Sequence, residues 1–412
     1  MRPALRKPQL DALAAIASHI TAKRQRRLLT VLPTGVGKTV TFAQAAWWLR
    51  RFAGVRTRKI LALAHRKELL RQAAQTFVRC NAKARVGIHE ASQRCAAADF
   101  DVIVASVQSI ARKQHLAAFD AGDFDMLIID EAHHATEHSG YADVVRYFGG
   151  FGATGPLVLG WTATPNRGDG RSLGALFEDV AYSLTLEYCI TTGYLVPAFL
   201  RPVPIDADLL TLGRGKRQEF NESQLASLMD NPAVTFAVLT RYEQEAQAWL
   251  LKTGRRHKTI AFAVTREHAQ HVAAACREMG ISAAYLGGDL PRDERQQTLA
   301  DFAAGRFEVL VSVNLLLEGF DQPDITCAID LKPTRSLVLA TQEFGRILRL
   351  APGKECAVYL QAVPAHAEAA GMIRVQDLFG LQTDDSPLAR DVIGRVPIHR
   401  MAAELAHLVE AR

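Results

Sequence analysis

Cysteine is scarce in this chain and never clustered. Six cysteines, Cys80, Cys95, Cys189, Cys276, Cys327 and Cys356, are spread over 412 residues with no C-x-x-C pair. That spacing argues against a structural zinc site and for a reduced, intracellular setting, with the cytoplasm as the expected location. No uninterrupted apolar run is long enough to cross a bilayer, so no membrane partner is expected. Low-complexity segments and long linkers are also missing. The basic, alanine-rich start, residues 1–20, has the composition of an organelle leader, but Arg6 and Gln9 within it find a better use below.

What is present suits a globular protein of two domains: 49% hydrophobic residues, 22% charged, and more length than one ordinary core absorbs. The net charge is +6, and it is uneven. Residues 1–195 carry 25 Lys and Arg against 16 Asp and Glu, whereas the remainder carries 24 against 27. A basic first half is what a polyanionic partner calls for. Short apolar runs alternate with helical patterns throughout. Residues 59–64, 101–105, 126–129 and 157–161 read as strands of a first set; 259–264, 282–285, 308–313, 327–331 and 356–361 read as a second. That rhythm predicts an α/β fold with two parallel sheets. The expected domains are 1–195 and 196–370, with the three prolines of residues 191–208 marking the crossover. A tail, 371–412, ends in an amphipathic helix over 401–409 and is the stretch left over for protein partners.

The chain is organised around Val31-Leu32-Pro33-Thr34-Gly35-Val36-Gly37-Lys38-Thr39, which follows an apolar run and precedes a helical one. Strand, glycine-punctuated turn, Lys-Thr, helix is the context of a phosphate-binding loop, although Leu32 stands where the general pattern has its first glycine. Gly35 and Gly37 let backbone N–H groups turn toward an anion at a helix N-terminus. Lys38 can reach β- and γ-phosphates, and the Thr39 hydroxyl can ligate Mg²⁺. Pro33, Thr34 and Val36 complete the cradle. Asp130-Glu131 follows another apolar run, at the carboxyl end of a strand where open α/β sheets place ligands. Asp130 is the expected Mg²⁺ ligand and Glu131 the base for an attacking water.

With these residues in place, the chain resembles superfamily 2 helicases and translocases, with two tandem RecA-like domains, over residues 5–361. Leu5-Arg6-Lys7-Pro8-Gln9 matches the Q motif, in which Arg6 and Gln9 would serve the nucleotide. His133 belongs to the DEAH box that Asp130 opens. Residues 64–72, including His65, Arg66 and Arg71, resemble motif Ia, and Ser106-Val107-Gln108-Ser109 resembles motif Ib; both touch the nucleic-acid backbone in the family. Trp161-Thr162-Ala163-Thr164-Pro165 matches motif III, so His133, Thr162 and Thr164 are the implied coupling residues. Motif IV corresponds to residues 261–265, ending in Thr265 as a further polymer contact. Motif V is 318–323, with Gly319 and Asp321 on the nucleotide, and motif VI is 342–349. In motif VI, Gln342, Arg346 and Arg349 are the implied catalytic residues. The two arginines lie three apart on one helical face, and a delocalised fork suits a charge-spreading phosphoryl transition state. Within the superfamily, GWTATP, TTGYLVP, EGFDQP and GRILRLAPGK look most like RadD-type bacterial repair helicases, XPB-like translocases and type I restriction motor subunits.

The resemblance implies a helicase or translocase using ATP and Mg²⁺ on nucleic acid, DNA ahead of RNA, in repair or recombination. A duplex translocase without strand separation is the nearest rival. A non-catalytic scaffold would need broken catalytic positions, and Lys38, Glu131, Arg346 and Arg349 are all present. The run of His133, His134 and His138 has a metal-like look, but a DEAH box with loop histidines explains it better. For at least one of Trp47 and Trp48, on the helix after the phosphate loop, packing is expected over stacking on bases.

Overall fold

The structure, a computed structural model, describes all residues except 1–2, 66, 92, 165–172, 214, 216–218, 314–321, 382–394, 402 and 405–412. It contains two compact units, Met1–Thr185 and Leu186–Arg412, so residues 186–195 join the second unit instead of closing the first.

In the first unit seven strands form one parallel sheet: β1 Arg27–Val31, β2 Ile60–Ala64, β3 Val86–His89, β4 Val102–Ser106, β5 Met126–Ile129, β6 Leu157–Thr162 and β7 Asp179–Ser183. Their order is β3-β4-β2-β5-β6-β1-β7. Every residue of β2, β4, β5 and β6 is buried, which is why these strands are continuous apolar runs and not alternating ones. Helices α1 Lys7–Thr21, α2 Lys38–Phe52 and α3 Lys67–Cys80 include the segments that the pattern marked as helical after β1 and β2. The strands β3 and β7 escaped the sequence reading because they are edge strands with mixed burial and short apolar content.

This order has a consequence for function. It sets the carboxyl ends of β4, β2, β5, β6 and β1 in a row, and these ends carry Ser106, His65, Asp130, Thr162 and the phosphate loop respectively. Register keeps them level: Ala64 pairs with Ser106, Leu63 with Ile129, and Val31 with Thr162.

The second unit holds a six-stranded parallel sheet of β8 Ala198–Asp208, β9 Thr259–Phe262, β10 Ala283–Leu286, β11 Val309–Ser312, β12 Cys327–Asp330 and β13 Ala357–Ala365. The order is β10-β11-β9-β12-β13-β8. Here the sequence reading is corrected: the proline-rich stretch is not a crossover but mostly the strand β8. Pro202 and Pro204 lie within it, and their missing N–H groups are tolerated because β8 is the edge strand, with β13 on its one paired side. Its 22-residue helix Pro232–Thr253 starts at an Asn231 cap and stops at Gly254, whose φ of 73° only glycine adopts readily. The expected helix over 401–409 lies mostly outside the described residues. Among those described, no helix is long and apolar enough to cross a membrane.

Candidate active site

The first unit builds its site on the turn from β1 into α2. Gly35 and Gly37 adopt φ of 94° and 101°, the left-handed turn that curls the loop and delivers Lys38 at the first turn of a 15-residue helix. A Cβ on Gly37 would sit 2.3 Å from the Gln9 amide nitrogen. Pro33, Thr34 and Val36 are buried, so the cradle is supported from behind. Thr39 follows Lys38 in the first turn of α2. Glycine curvature, helix N-terminus, lysine and hydroxyl together fit a nucleotide phosphate chain with its cation.

Arg6 and Gln9 grip this loop. The Gln9 carbonyl oxygen accepts from the Arg6 N–H at 2.8 Å, while its amide nitrogen donates to the carbonyls of Val36 (3.2 Å) and Gly37 (3.3 Å). The Arg6 guanidinium donates to the carbonyls of Gly35 and Val36. The structure shows both residues holding the loop's carbonyl side.

Across β6 lies the acid pair. Asp130 is nearly buried, and one of its oxygens accepts from the Glu131 N–H at 2.9 Å. Glu131 has φ of 47°, an uncommon conformation for a residue with a side chain and a frequent mark of functional loops. Its Oε1 lies 3.9 Å from Lys38 Nζ and its Oε2 3.4 Å from His133 Nδ1. His133 Nδ1 is also 3.2 Å from Thr162 Oγ1. The Thr162 hydroxyl donates to the Thr164 carbonyl at 2.9 Å, so it accepts from His133, which places the proton on Nδ1. Lys38, Glu131, His133, Thr162 and Thr164 thus form one continuous chain of contacts from the phosphate loop through β5 to β6. The Thr164 hydroxyl itself has no hydrogen-bond partner among the described residues.

The expected polymer contacts divide. His65, Ser106 and Gln108 come together at the ends of β2 and β4: Ser106 Oγ donates to Gln108 Oε1, and Gln108 Nε2 donates to the His65 carbonyl, both at 2.8 Å. Arg71 is exposed on α3 and lines a shallow hollow of about 500 Å³ with Val78, Arg79, Val86 and Ile88. Arg66 lies outside the described residues. Thr265, in the second unit, caps helix Arg266–Glu278 by accepting from the His268 N–H at 3.2 Å. Sequence reasoning missed His134, set aside as a loop residue. Its ring lies 4.1 Å from that of His133 and 4.3 Å from that of His65. Its only signal in the sequence was the doubled histidine after the acid pair. Among the described residues no group of three His, Cys, Asp or Glu side chains is arranged to hold a metal ion. Trp47 is exposed and meets Phe52 edge-on at 5.9 Å, while Trp48 is half-buried at 5.1 Å from the same ring.

In the second unit, helix Leu337–Ile347 carries Gln342 and Arg346, both buried, with Arg349 half-buried just beyond its end. Between them sits Glu343, which is fully buried. Burial, reinforced by the neighbouring Asp330, pushes the Glu343 carboxyl well above the usual range. Burial also pushes the Lys354 ammonium down to about 7; its Nζ donates to the Pro323 carbonyl at 2.9 Å. Gly319 and Asp321 of the expected motif V lie outside the described residues.

Known proteins resemble this chain over most of its length. Residues 2–167 match the family model described as type III restriction enzyme, res subunit, and residues 243–351 match the helicase conserved C-terminal domain. A Saccharomyces cerevisiae protein named as an ATP-dependent helicase, IRC3, is 31% identical over 387 residues, covering 93% of this chain and 54% of that protein. The chain spans about half the length of the curated relatives it matches first. Two solved structures share the fold. One is a fragment described as an HsdR subunit of a type I restriction enzyme from Vibrio vulnificus YJ016 (TM-score 0.65, 21% identity, 95% of this chain and 67% of that one). The other is S. cerevisiae Dbp5 bound to RNA and ADP BeF3 (TM-score 0.60, 17% identity, 98% and 93%).

Proposed function

Because this chain belongs to the superfamily 2 helicases, with their paired N-terminal and C-terminal domains, we propose that it is a nucleic-acid-stimulated ATPase that moves along DNA. The observation that carries this reading is the contact chain from Lys38 through Glu131 and His133 to Thr162, set on adjacent strand ends. A nucleotide in the loop of Gly35 and Gly37 draws Lys38 onto its β- and γ-phosphates, away from Glu131. The carboxylate so released orients the attacking water and takes its proton. Thr39 and Asp130 would hold Mg²⁺, whose contribution when bound is to neutralise charge on the phosphate oxygens. From the second unit, Gln342, Arg346 and Arg349, with Gly319 and Asp321, are proposed to complete the nucleotide site, the arginines meeting charge that develops on the transferring group.

The proposed polymer track runs over His65, Arg66, Arg71, Ser106 and Gln108, with Thr265 in the second unit. The excess of Lys and Arg before residue 195 favours phosphate contacts with little sequence preference. The restriction-enzyme family match favours DNA over RNA, and a repair or recombination role is the corresponding biological setting. One comparison tests the reading: ATPase rate with no polymer, single-stranded, duplex and forked DNA, and RNA, over a range of salt. Stimulation by DNA that weakens steeply with salt is expected. Equal rates in every arm would overturn the motor reading. Stimulation by duplex alone, without unwinding of the fork, would make the protein a duplex translocase, and stimulation by RNA alone would replace the polymer.

A further inference from the structure

The contacts of His133 with Glu131 and Thr162 run from β5 toward β6 and the phosphate loop. A second set of contacts leaves the same turn in the opposite direction, toward β2 and β4. We infer that His134 and His65 form the link through which the proposed polymer track acts on the water-activating carboxylate. This inference rests on the function proposed above.

Four observations carry it. The Gln108 amide is fixed at both ends, by the Ser106 hydroxyl on its oxygen and the His65 carbonyl on its nitrogen. A shift of the short helix Val107–Ile110, which follows β4 directly and carries Gln108, therefore pulls on the backbone that bears the His65 ring. That ring meets His134 edge-on at 4.3 Å, in direct contact, so a shift of one presses on the other. His134 stands beside His133, ring to ring at 4.1 Å, in the single tight turn Ala132–His134. Finally, the turn has little slack: Ala132 and Ala135 are fully buried on either side of the histidines, and Glu131 enters it at φ of 47°. Displacement of the His134 ring is thus transmitted to Glu131, the residue at the head of the turn. The His134 ring meets those of His65 and His133, and it acts through them as a positioning residue.

Steady-state ATPase of wild type, His134→Ala and His134→Phe across a titration of single-stranded and duplex DNA tests the link, with DNA affinity read separately by fluorescence anisotropy. For His134→Ala we expect basal turnover and DNA affinity within about twofold of wild type, but stimulation at saturating DNA reduced about two- to thirtyfold. His134→Phe keeps a ring of similar size and restores at least half of the stimulation. Should the alanine variant not fold, His134→Gln, which keeps volume without a ring, takes its place against His134→Phe. Undiminished stimulation in His134→Ala, with the wild type stimulated, overturns this inference alone. So does a loss of stimulation matched by an equal loss of DNA affinity, which would make His134 a polymer contact, or a failure of phenylalanine to restore it. A wild type that no polymer stimulates removes the underlying reading instead.

Discussion

Lys38 and Glu131 face one another from the N-terminus of α2 and the end of β5, with Nζ 3.9 Å from Oε1 and each side chain about nine-tenths buried. The phosphate-loop lysine therefore rests against the carboxylate expected to activate water, and a nucleotide competes with that carboxylate for it. Glu131→Gln should leave nucleotide affinity near wild type or improve it, because the competing charge is gone. It should reduce turnover by about 10² to 10⁴, the usual contribution of a positioned general base. Lys38→Ala should instead weaken binding. Calorimetric titration with a non-hydrolysable ATP analogue, beside steady-state ATPase, separates the two; normal turnover in Glu131→Gln would remove Glu131 as the base.

Gly37→Ala meets two obstacles at once. A φ of 101° is strained for any side chain, and the new methyl would lie 2.3 Å from the Gln9 amide. The expected cost is about 1 to 3 kcal/mol for the backbone conformation alone, seen as a lowered melting temperature together with weakened nucleotide binding. Adding Gln9→Ala removes the closest contact but not the strain, and it gives up the Gln9 hydrogen bonds to the loop, so the double variant should recover at most part of the loss. Full recovery would place the whole effect in the steric contact.

Glu343 makes a prediction about pH. Its two carboxyl oxygens have no hydrogen-bond partner among the described residues, and burial, with Asp330 nearby, holds its proton to a pH well above the usual carboxylate range. Asp330 is raised as well, chiefly by burial, although it accepts from the Lys332 N–H at 3.0 Å and the Gln361 amide at 3.1 Å. The unfolded chain releases these protons at ordinary acidic pH while the folded chain keeps them. Stability from this pair is therefore fully present below the ordinary carboxylate range and declines as pH rises toward the folded values. Glu343→Gln should melt higher than wild type at pH 8, with the difference shrinking as pH falls toward 4.5. A melting difference independent of pH would show that the carboxyl does not titrate with folding.

Arg349→Ala tests whether the second unit takes part in catalysis. An arginine that meets charge only in the transition state is worth about 10³ to 10⁵ in rate and little in ground-state affinity. Turnover with saturating DNA should fall by that order while the affinity for nucleotide changes far less. Equal losses in affinity and turnover would make Arg349 a ground-state binding residue.

The sequence by itself determined which segments are strands in the buried centre of each sheet and which glycine turn leads from a strand into a helix beginning at Lys38. Leu61, Ile128 and Leu159 sit in runs that can only be satisfied by burial on both faces, and Gly35 and Gly37 permit a backbone that other residues resist. These are properties of neighbours along the chain, so they are visible without a fold. Edge strands were harder, because one open side allows polar residues in β3 and β7 and prolines in β8, and the apolar pattern dissolves.

Only the tertiary structure decided what meets what. Gln9 reaches the loop of Val36, His65 meets His134, and Glu343 lies buried near Asp330. Each pairing depends on strand order or on how one helix packs against its neighbours. Strand order is fixed by how the crossovers close and how the sheet faces are covered, not by any local preference at the residues involved. A doubled histidine after an acid pair reads as an ordinary loop until β2 is seen to lie beside β5, with His65 at its end.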